Sequence, residues 1–299
     1  MSETRAAEKN AATSPLLEIL DLEEIEAGVF RGHSPAAAPP RVFGGQLLAQ
    51  ALTAASRTVP GGRTAHAAQI VFLRGADPAR PLDFHVQDLH DGRSFGVRQV
   101  AVRQGERAVC TVTVSFQDTE QGPEHAVTAP AAPPPDRWPT YAHALGPMSG
   151  RLGAIPDVVR PFDLRYETEP PWAGAARGPG RPAHRAWLRA VERLPDTPLS
   201  HQAALAYATD LTLVDSILLG HGVYWGLDPV TMVSLNHSVW FHRPFRADTW
   251  LLYDCESPTA GQGRGLACGR FFDEDGRLVA SVVQEALFRL GPRGHEGAR

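Results

Sequence analysis

The sequence predicts an α+β protein built from two tandem halves, each a helix followed by an antiparallel meander. Three observations predict it. The order helix-then-strands occurs twice along the chain. The strand-like runs alternate with period two, as in Cys110-Thr-Val-Thr-Val-Ser-Phe116, where every second residue is apolar. Residues also repeat between the halves: Phe72-Leu73-Arg74 matches Phe241-His242-Arg243, and the run from Gly105 to Val112 matches that from Asp275 to Val282, which sets Val109 on Val279.

The chain of 299 residues is 43% hydrophobic and 21% charged, the balance of a globular protein. A net charge of −4 argues against a nucleic-acid partner, which needs a broad basic face. Cys110, Cys255 and Cys268 form no C-x-x-C pair and no metal spacing, so they are expected as reduced core residues of a cytoplasmic protein. His66, His85, His90 and His201 show no ligand spacing, and His237 and His242 fall on opposite faces of one strand, so no metal is expected. No apolar run approaches a membrane span of about eighteen residues, and no membrane association is expected. The first fourteen residues are polar, without a secretory h-region, and the last nine carry no readable address signal; both ends are expected to be frayed.

In chain order, Leu22, Ile25 and Val29 suit a short helix or a helix-to-strand passage, and residues 34–40 form a turn-rich loop. After Arg41-Val-Phe-Gly-Gly-Gln46, Leu47, Leu48, Ala51, Leu52 and Ala55 recur at helical spacing until Pro60-Gly61-Gly62 stops the helix. Strands are expected at 65–74, 82–89, 94–103 and 107–117, with Asp91-Gly92 and Gln104-Gly105 as hairpin punctuation. The Pro-rich stretch 121–160 cannot build a core and serves as a linker between a first domain, 15–120, and a second, 161–292. The second domain has strands at 161–168 and 184–194, a helix from Leu199 to about Leu219, and strands at 231–242, 249–256, 264–274 and 278–290. Val239, Trp240 and Phe241 favour the first of that last set, and Pro244 stops it. Trp240 is expected in the core.

At three positions the halves differ in the same direction. Leu52, Ala65 and Val114 of the first half stand where Asp210, Ser234 and Gln284 stand in the second. Three apolar-to-polar exchanges together suggest that one half carries chemistry and the other has lost it. Asp210 shares a helical face with Ala203, Ala206, Tyr207, Leu213, Val214 and Ile217; it is either a buried acid needing donors or a cap on a broken helix. Gln284 lies among Val282, Ala286 and Phe288, where an amide needs a partner unless the strand is an edge. Ser234 alternates with Asn236, Ser238 and Trp240, so periodicity leaves its direction open. There is no G-x-S-x-G elbow and no G-x-G-x-x-G or Walker spacing.

The chain resembles the acyl-CoA thioesterase II family, in the segments Arg41–Gln46, Phe72–Arg74, Asp91-Gly-Arg-Ser-Phe95, Tyr207-Ala-Thr-Asp-Leu211, His237-Ser-Val-Trp-Phe-His-Arg-Pro-Phe245 and Val279-Ala-Ser-Val-Val-Gln-Glu285. That resemblance implies a double hot-dog fold, an acyl-CoA substrate, no cofactor, and a homo-oligomer, dimer or tetramer. It implies hydrolysis by a water held and activated by Asp210, Ser234 and Gln284, with no covalent acyl-enzyme and with Gly45 as a candidate oxyanion donor. Ser234 departs from the Thr common in the family, Asn236 from a frequent Asp, and Arg74-Gly75-Ala76-Asp77 from the usual Pro-Gly-Asp loop. Competing expectations are a hot-dog enoyl-thioester hydratase, with His237 as the nearby histidine, and a non-catalytic acyl-thioester binding module.

Overall fold

The computed structural model describes residues 15–35, 40–141, 143, 161–167, 179–223 and 228–291. The expectations for both termini, the Gly/Pro loop after residue 167 and most of 142–160 lie outside the described residues. The first half comprises α1 (Pro15–Leu20), β1 (Glu23–Glu26), β2 (Val29–Gly32), α2 (Gly44–Ser56), β3 (Thr64–Phe72), β4 (Leu82–Asp91), β5 (Phe95–Gln104) and β6 (Arg107–Gln117). The second comprises β7 (Phe162–Tyr166), β8 (Ala183–Ala190), α3 (Pro198–Ala208), α4 (Asp215–His221), β9 (Val230–Phe241), β10 (Leu251–Gly261), β11 (Arg264–Phe272) and β12 (Leu278–Leu290).

All twelve strands form one sheet in the order β1-β2-β4-β5-β6-β3-β9-β12-β11-β10-β8-β7. Read outward from the centre, each half repeats the other. The seam is the antiparallel pair β3–β9, in which Gln69 faces its own counterpart in the repeat, Ser238. A pseudo-two-fold axis therefore passes through the seam. Each half-sheet wraps a central helix, which is the double hot-dog arrangement.

The central helices are swallowed because their sequences are apolar or small on every side. In α2 every residue from Gly45 to Ala55 is buried. Its two buried amides have acceptors: Gln50 Nε2 donates to the Ile19 carbonyl at 2.8 Å and Gln46 Nε2 to Ser34 Oγ at 3.0 Å. The N-terminal end of α2 packs on the C-terminal end of α3, and one continuous core runs through both halves.

The helix expected from Leu199 to about Leu219 is broken. α3 ends at Ala208, turns occupy 209–214, and α4 starts at Asp215. Short polar side chains compete for the backbone here. Thr209 Oγ1 bonds to the Ala206 carbonyl at 2.8 Å, and Thr212 Oγ1 donates to Asp215 Oδ2 at 2.8 Å. Asp210 thus sits in the break, not on a helix face.

Three further expectations are corrected. Trp240 lies half-buried on the outer face of the sheet, because the inward set of β9 is His237, Val239 and Phe241. β10 runs beyond 256 to Gly261, since a bulge between Glu256 and Thr259 accommodates Pro258. The Pro-rich crossing has a small core of its own: Trp138 packs with Trp187, Leu252 and Phe272, and Trp187 Nε1 donates to the Pro133 carbonyl at 2.9 Å. It is a strap laid along the second half. Among the described residues, no helix is long and apolar enough to cross a membrane.

Candidate active site

Asp210, Ser234 and Gln284 come together. Gln284 Nε2 donates one proton to Asp210 Oδ1 at 2.7 Å and the other to Ser234 Oγ at 2.7 Å. The other carboxylate oxygen, Asp210 Oδ2, accepts from the Gly45 backbone N–H at 3.0 Å. The site is shared between the halves: β9, β12 and the α3–α4 break supply side chains, and the N-terminus of α2 supplies a backbone donor.

A bulge decides where Ser234 points. In the β9–β12 ladder Gln284 faces His237 and Glu285 faces Asn236, but Ala286 faces Ser234, so Leu235 is an extra residue. Strict alternation would turn Ser234 outward with Asn236 and Ser238. The extra residue turns it inward, beside Gln284. β3 has the same irregularity between Ala65 and Ala67. There the inward positions are Ala65 and, facing Ala68, Val114, both fully buried. The repeat thus preserves the geometry while only the second half has polar groups in it.

The two glycines at the start of α2 are required by close approach. A Cβ on Gly44 would lie 2.6 Å from Asp210 Oδ2 and 3.0 Å from the Phe72 ring, and one on Gly45 would collide with the Tyr207 carbonyl. Without side chains the helix end closes on the carboxylate, and its N-terminal partial positive charge stabilises the anion. An amide N–H carries one proton. That of Gly45 is engaged by Oδ2, so its expected place opposite an oxyanion is taken by the carboxylate while this bond stands.

Burial pushes the Asp210 carboxyl up to about 6, against the opposing pull of the bonds from Gln284 and Gly45. The group is ionised at neutral pH yet remains a competent proton acceptor. His237 is buried directly opposite Gln284. Its Nε2 lies 2.9 Å from Thr209 Oγ1, and burial lowers the imidazole to about 4, so it is neutral at physiological pH. Sequence reasoning assigned this histidine no part in the hydrolytic trio and placed it near the site only in the hydratase alternative; the register of β9 against β12 sets it opposite Gln284. The Thr209 carbonyl accepts from the Tyr253 hydroxyl at 2.8 Å, which ties the α3–α4 break to β10.

Two half-sheets joined at β3–β9, each wrapped around a central helix, define the class, the double hot-dog proteins. Comparison with known proteins narrows it. The family model for acyl-CoA thioesterase matches residues 160–287, and that for the acyl-CoA thioesterase N-terminal domain matches residues 33–117. Acyl-coenzyme A thioesterase 8 of Rattus norvegicus is 33% identical, with 93% of this chain and 90% of that protein covered. Acyl-CoA thioesterase 2 of Haemophilus influenzae is 34% identical, with 92% and 97% covered. The crystal structure of the acyl-CoA thioesterase II TesB2 from Mycobacterium marinum superposes with a TM-score of 0.75 at 36% identity, over 94% of this chain and 99% of that one. The chain belongs to the acyl-CoA thioesterase family, of the thioesterase II type.

Proposed function

We propose that this protein hydrolyses acyl-CoA to a free fatty acid and coenzyme A by direct attack of a water molecule activated by Asp210. The observation that carries the proposal is the Gln284 amide, which joins Asp210 and Ser234 through two 2.7 Å hydrogen bonds. Asp210 accepts a proton from the water, whose oxygen bonds to the thioester carbonyl carbon. The tetrahedral intermediate expels the thiolate, and the proton held on Asp210 passes to sulfur. Gln284 aligns Asp210 and Ser234, and the Ser234 hydroxyl, whose own proton is free while its oxygen accepts from Gln284, fixes the water within reach of both the base and the carbonyl. Gly45 holds the base in place, and the α2 N-terminus sets a favourable potential for negative charge at the site. The first half, with Leu52, Ala65 and Val114 at the corresponding positions, acts as scaffold and supplies that helix end.

The test is thiol release from acyl-CoA by the purified protein, with Asp210→Asn alongside. Loss of a general base lowers turnover by roughly a hundredfold or more. Hydration of crotonyl-CoA without thiol release would instead establish a hydratase, and binding without either reaction a carrier module. The hydratase role would need His237 to exchange protons with substrate, but its ring is buried and its Nε2 is engaged by Thr209.

A further inference from the structure

Two buried polar atoms at the trio have no hydrogen-bond partner among the described residues: Gln284 Oε1 and His237 Nδ1. They belong to residues directly opposite each other in the β9–β12 ladder, with side chains on the same inward face. One can accept and the other can carry a proton, so each is the natural partner of the other. We infer that His237 is a positioning residue: its Nδ1–H donates to Gln284 Oε1 and thereby fixes the Gln284 amide with its NH2 group toward Asp210 and Ser234. The inference rests on the hydrolytic reading above and goes beyond it.

Proton bookkeeping favours this arrangement. Gln284 has two N–H protons, and both are used, on Asp210 Oδ1 and Ser234 Oγ. Rotating the amide by half a turn would place its oxygen against the carboxylate. Nothing in the trio itself prevents that rotation in substrate-free protein except the loss of those two bonds. A donor on the far side of the amide adds a second constraint. The imidazole has one proton when neutral. If Nε2 held it, Thr209 Oγ1 would accept and pass its own proton to the Ala206 carbonyl, leaving Nδ1 and Oε1 as two facing acceptors with no proton between them. If Nδ1 holds it, Gln284 Oε1 gains a donor and Nε2 accepts from the Thr209 hydroxyl, whose single proton then turns away from the Ala206 carbonyl. Only the second choice satisfies both orphaned atoms. The ring is held from behind, because Thr209 is itself anchored by Tyr253 through its carbonyl. The chain Tyr253–Thr209–His237–Gln284 runs from β10 through the α3–α4 break to the amide that joins Asp210 and Ser234. In the first half the residue opposite Val114 is Ala68, so the positioning group is missing there along with the group it would position.

Two measurements test it. In wild-type protein labelled with 15N-histidine, the ring signal of residue 237, assigned by its loss in His237→Asn, is expected to report the Nδ1–H tautomer at neutral pH. The Nε2–H tautomer would overturn the inference, and this reading needs no variant to be active. In thiol-release assays His237→Leu is expected to lower kcat by about tenfold to a hundredfold with little change in KM, as a loosened reacting group does. Its acid limb should move to higher pH, because a freed amide no longer donates steadily to Asp210. His237→Asn retains a donor near the Nδ1 position and is expected to recover most of the lost kcat and the wild-type limb. Equal losses in the two variants, or an unmoved limb in His237→Leu, would reduce His237 to packing. Asp210→Asn measured in the same series separates the two claims: if it retains full turnover the hydrolytic mechanism falls, whereas the tautomer result stands or falls by itself.

Discussion

The Gly45 amide nitrogen and Asp210 Oδ2 are 3.0 Å apart although 165 positions separate them in the chain. This bond crosses between the repeats and makes the site a joint product of both. It exists because two successive glycines let the end of α2 touch the carboxylate and the end of α3.

Replacing either glycine by alanine should fail in different ways. The added methyl of Gly44→Ala meets the Asp210 carboxylate and the edge of the Phe72 ring, which are side chains. They can move, so the fold persists but the base is displaced; kcat is expected to fall by about a hundredfold, the scale of an ångström-sized misplacement. The methyl of Gly45→Ala meets the Tyr207 carbonyl, a backbone group in α3. There the helices must separate, which costs about 1–3 kcal/mol as in other overpacked cores. Thermal unfolding beside steady-state kinetics distinguishes the two patterns.

The carboxyl of Asp210, raised to about 6, makes two pH predictions of defined sign. In the proposed mechanism turnover uses ionised Asp210, so kcat/KM should rise with pH through about 6 and level off above it. For stability, the folded state binds the Asp210 proton more tightly than the unfolded chain, where the carboxyl titrates near 3.8. The ionised group therefore costs stability progressively as pH rises from about 4 to 6. Asp210→Asn carries no such cost. The stability difference between variant and wild type should shift in favour of the variant by up to about 3 kcal/mol from pH 4 to pH 7, the value of a two-unit shift. Asp210 retains some exposure, so this is an upper limit. Denaturant titrations at several pH values measure it, and a difference independent of pH would contradict the burial of this charge.

Ser234 sits just before the bulge at Leu235, in a position where the hydroxyl matters and the β-carbon is only loosely defined. Ser234→Ala removes the acceptor of one Gln284 proton and is expected to lower kcat by about tenfold to a hundredfold. Ser234→Thr restores a β-branch that restricts χ1. Activity at or above wild type is expected there, since the hydroxyl is kept and Ser234 is only partly buried. A loss in Ser234→Thr as large as in Ser234→Ala would show that the bulge does not admit the extra methyl.

The element order and the trio were legible in the sequence for different reasons. Strands and hairpins declare themselves locally, through alternation and through Asp91-Gly92 or Gln104-Gly105. The trio emerged because comparing the halves sets apolar residues against polar ones at Leu52/Asp210, Ala65/Ser234 and Val114/Gln284; the same comparison sets Ala68 against His237, which went unused. What escaped depends on partners distant in sequence. The break after Ala208 was hidden because Leu213, Val214 and Ile217 continue a helical period across it. The bulge at Leu235 is a property of two paired strands, so the direction of Ser234 could not be read from β9 alone. The same pairing places His237 against Gln284, and no spacing rule within one strand reports that. Trp240 looked like core because it is large and apolar, whereas the register of β9 assigns it to the outer face.

Gln284→Glu tests the electrostatic logic of the site most directly. The substitution is nearly isosteric, but it replaces a double donor by a second acid 2.7 Å from Asp210 Oδ1. Two ionised carboxylates at that distance repel strongly, so the pair keeps one proton to higher pH than either group alone. While the proton is shared, one hydrogen bond joins the acids and Ser234 loses its donor. When it is lost, repulsion opens the site. Turnover at neutral pH should fall by about a hundredfold or more, with no pH at which both the base is free and the water is held. Stability carries the sign of the same coupling: the raised folded-state affinity for a proton means that the variant loses stability, relative to wild type, as pH rises from about 5 to 8. Gln284→Met, which removes the donors without adding charge, should lose comparable activity but show a smaller slope of the same sign, since it only takes away the bond that holds the Asp210 carboxyl down. A matched pH dependence of unfolding in the Glu and Met variants would mean that position 284 is not in hydrogen-bonding contact with Asp210.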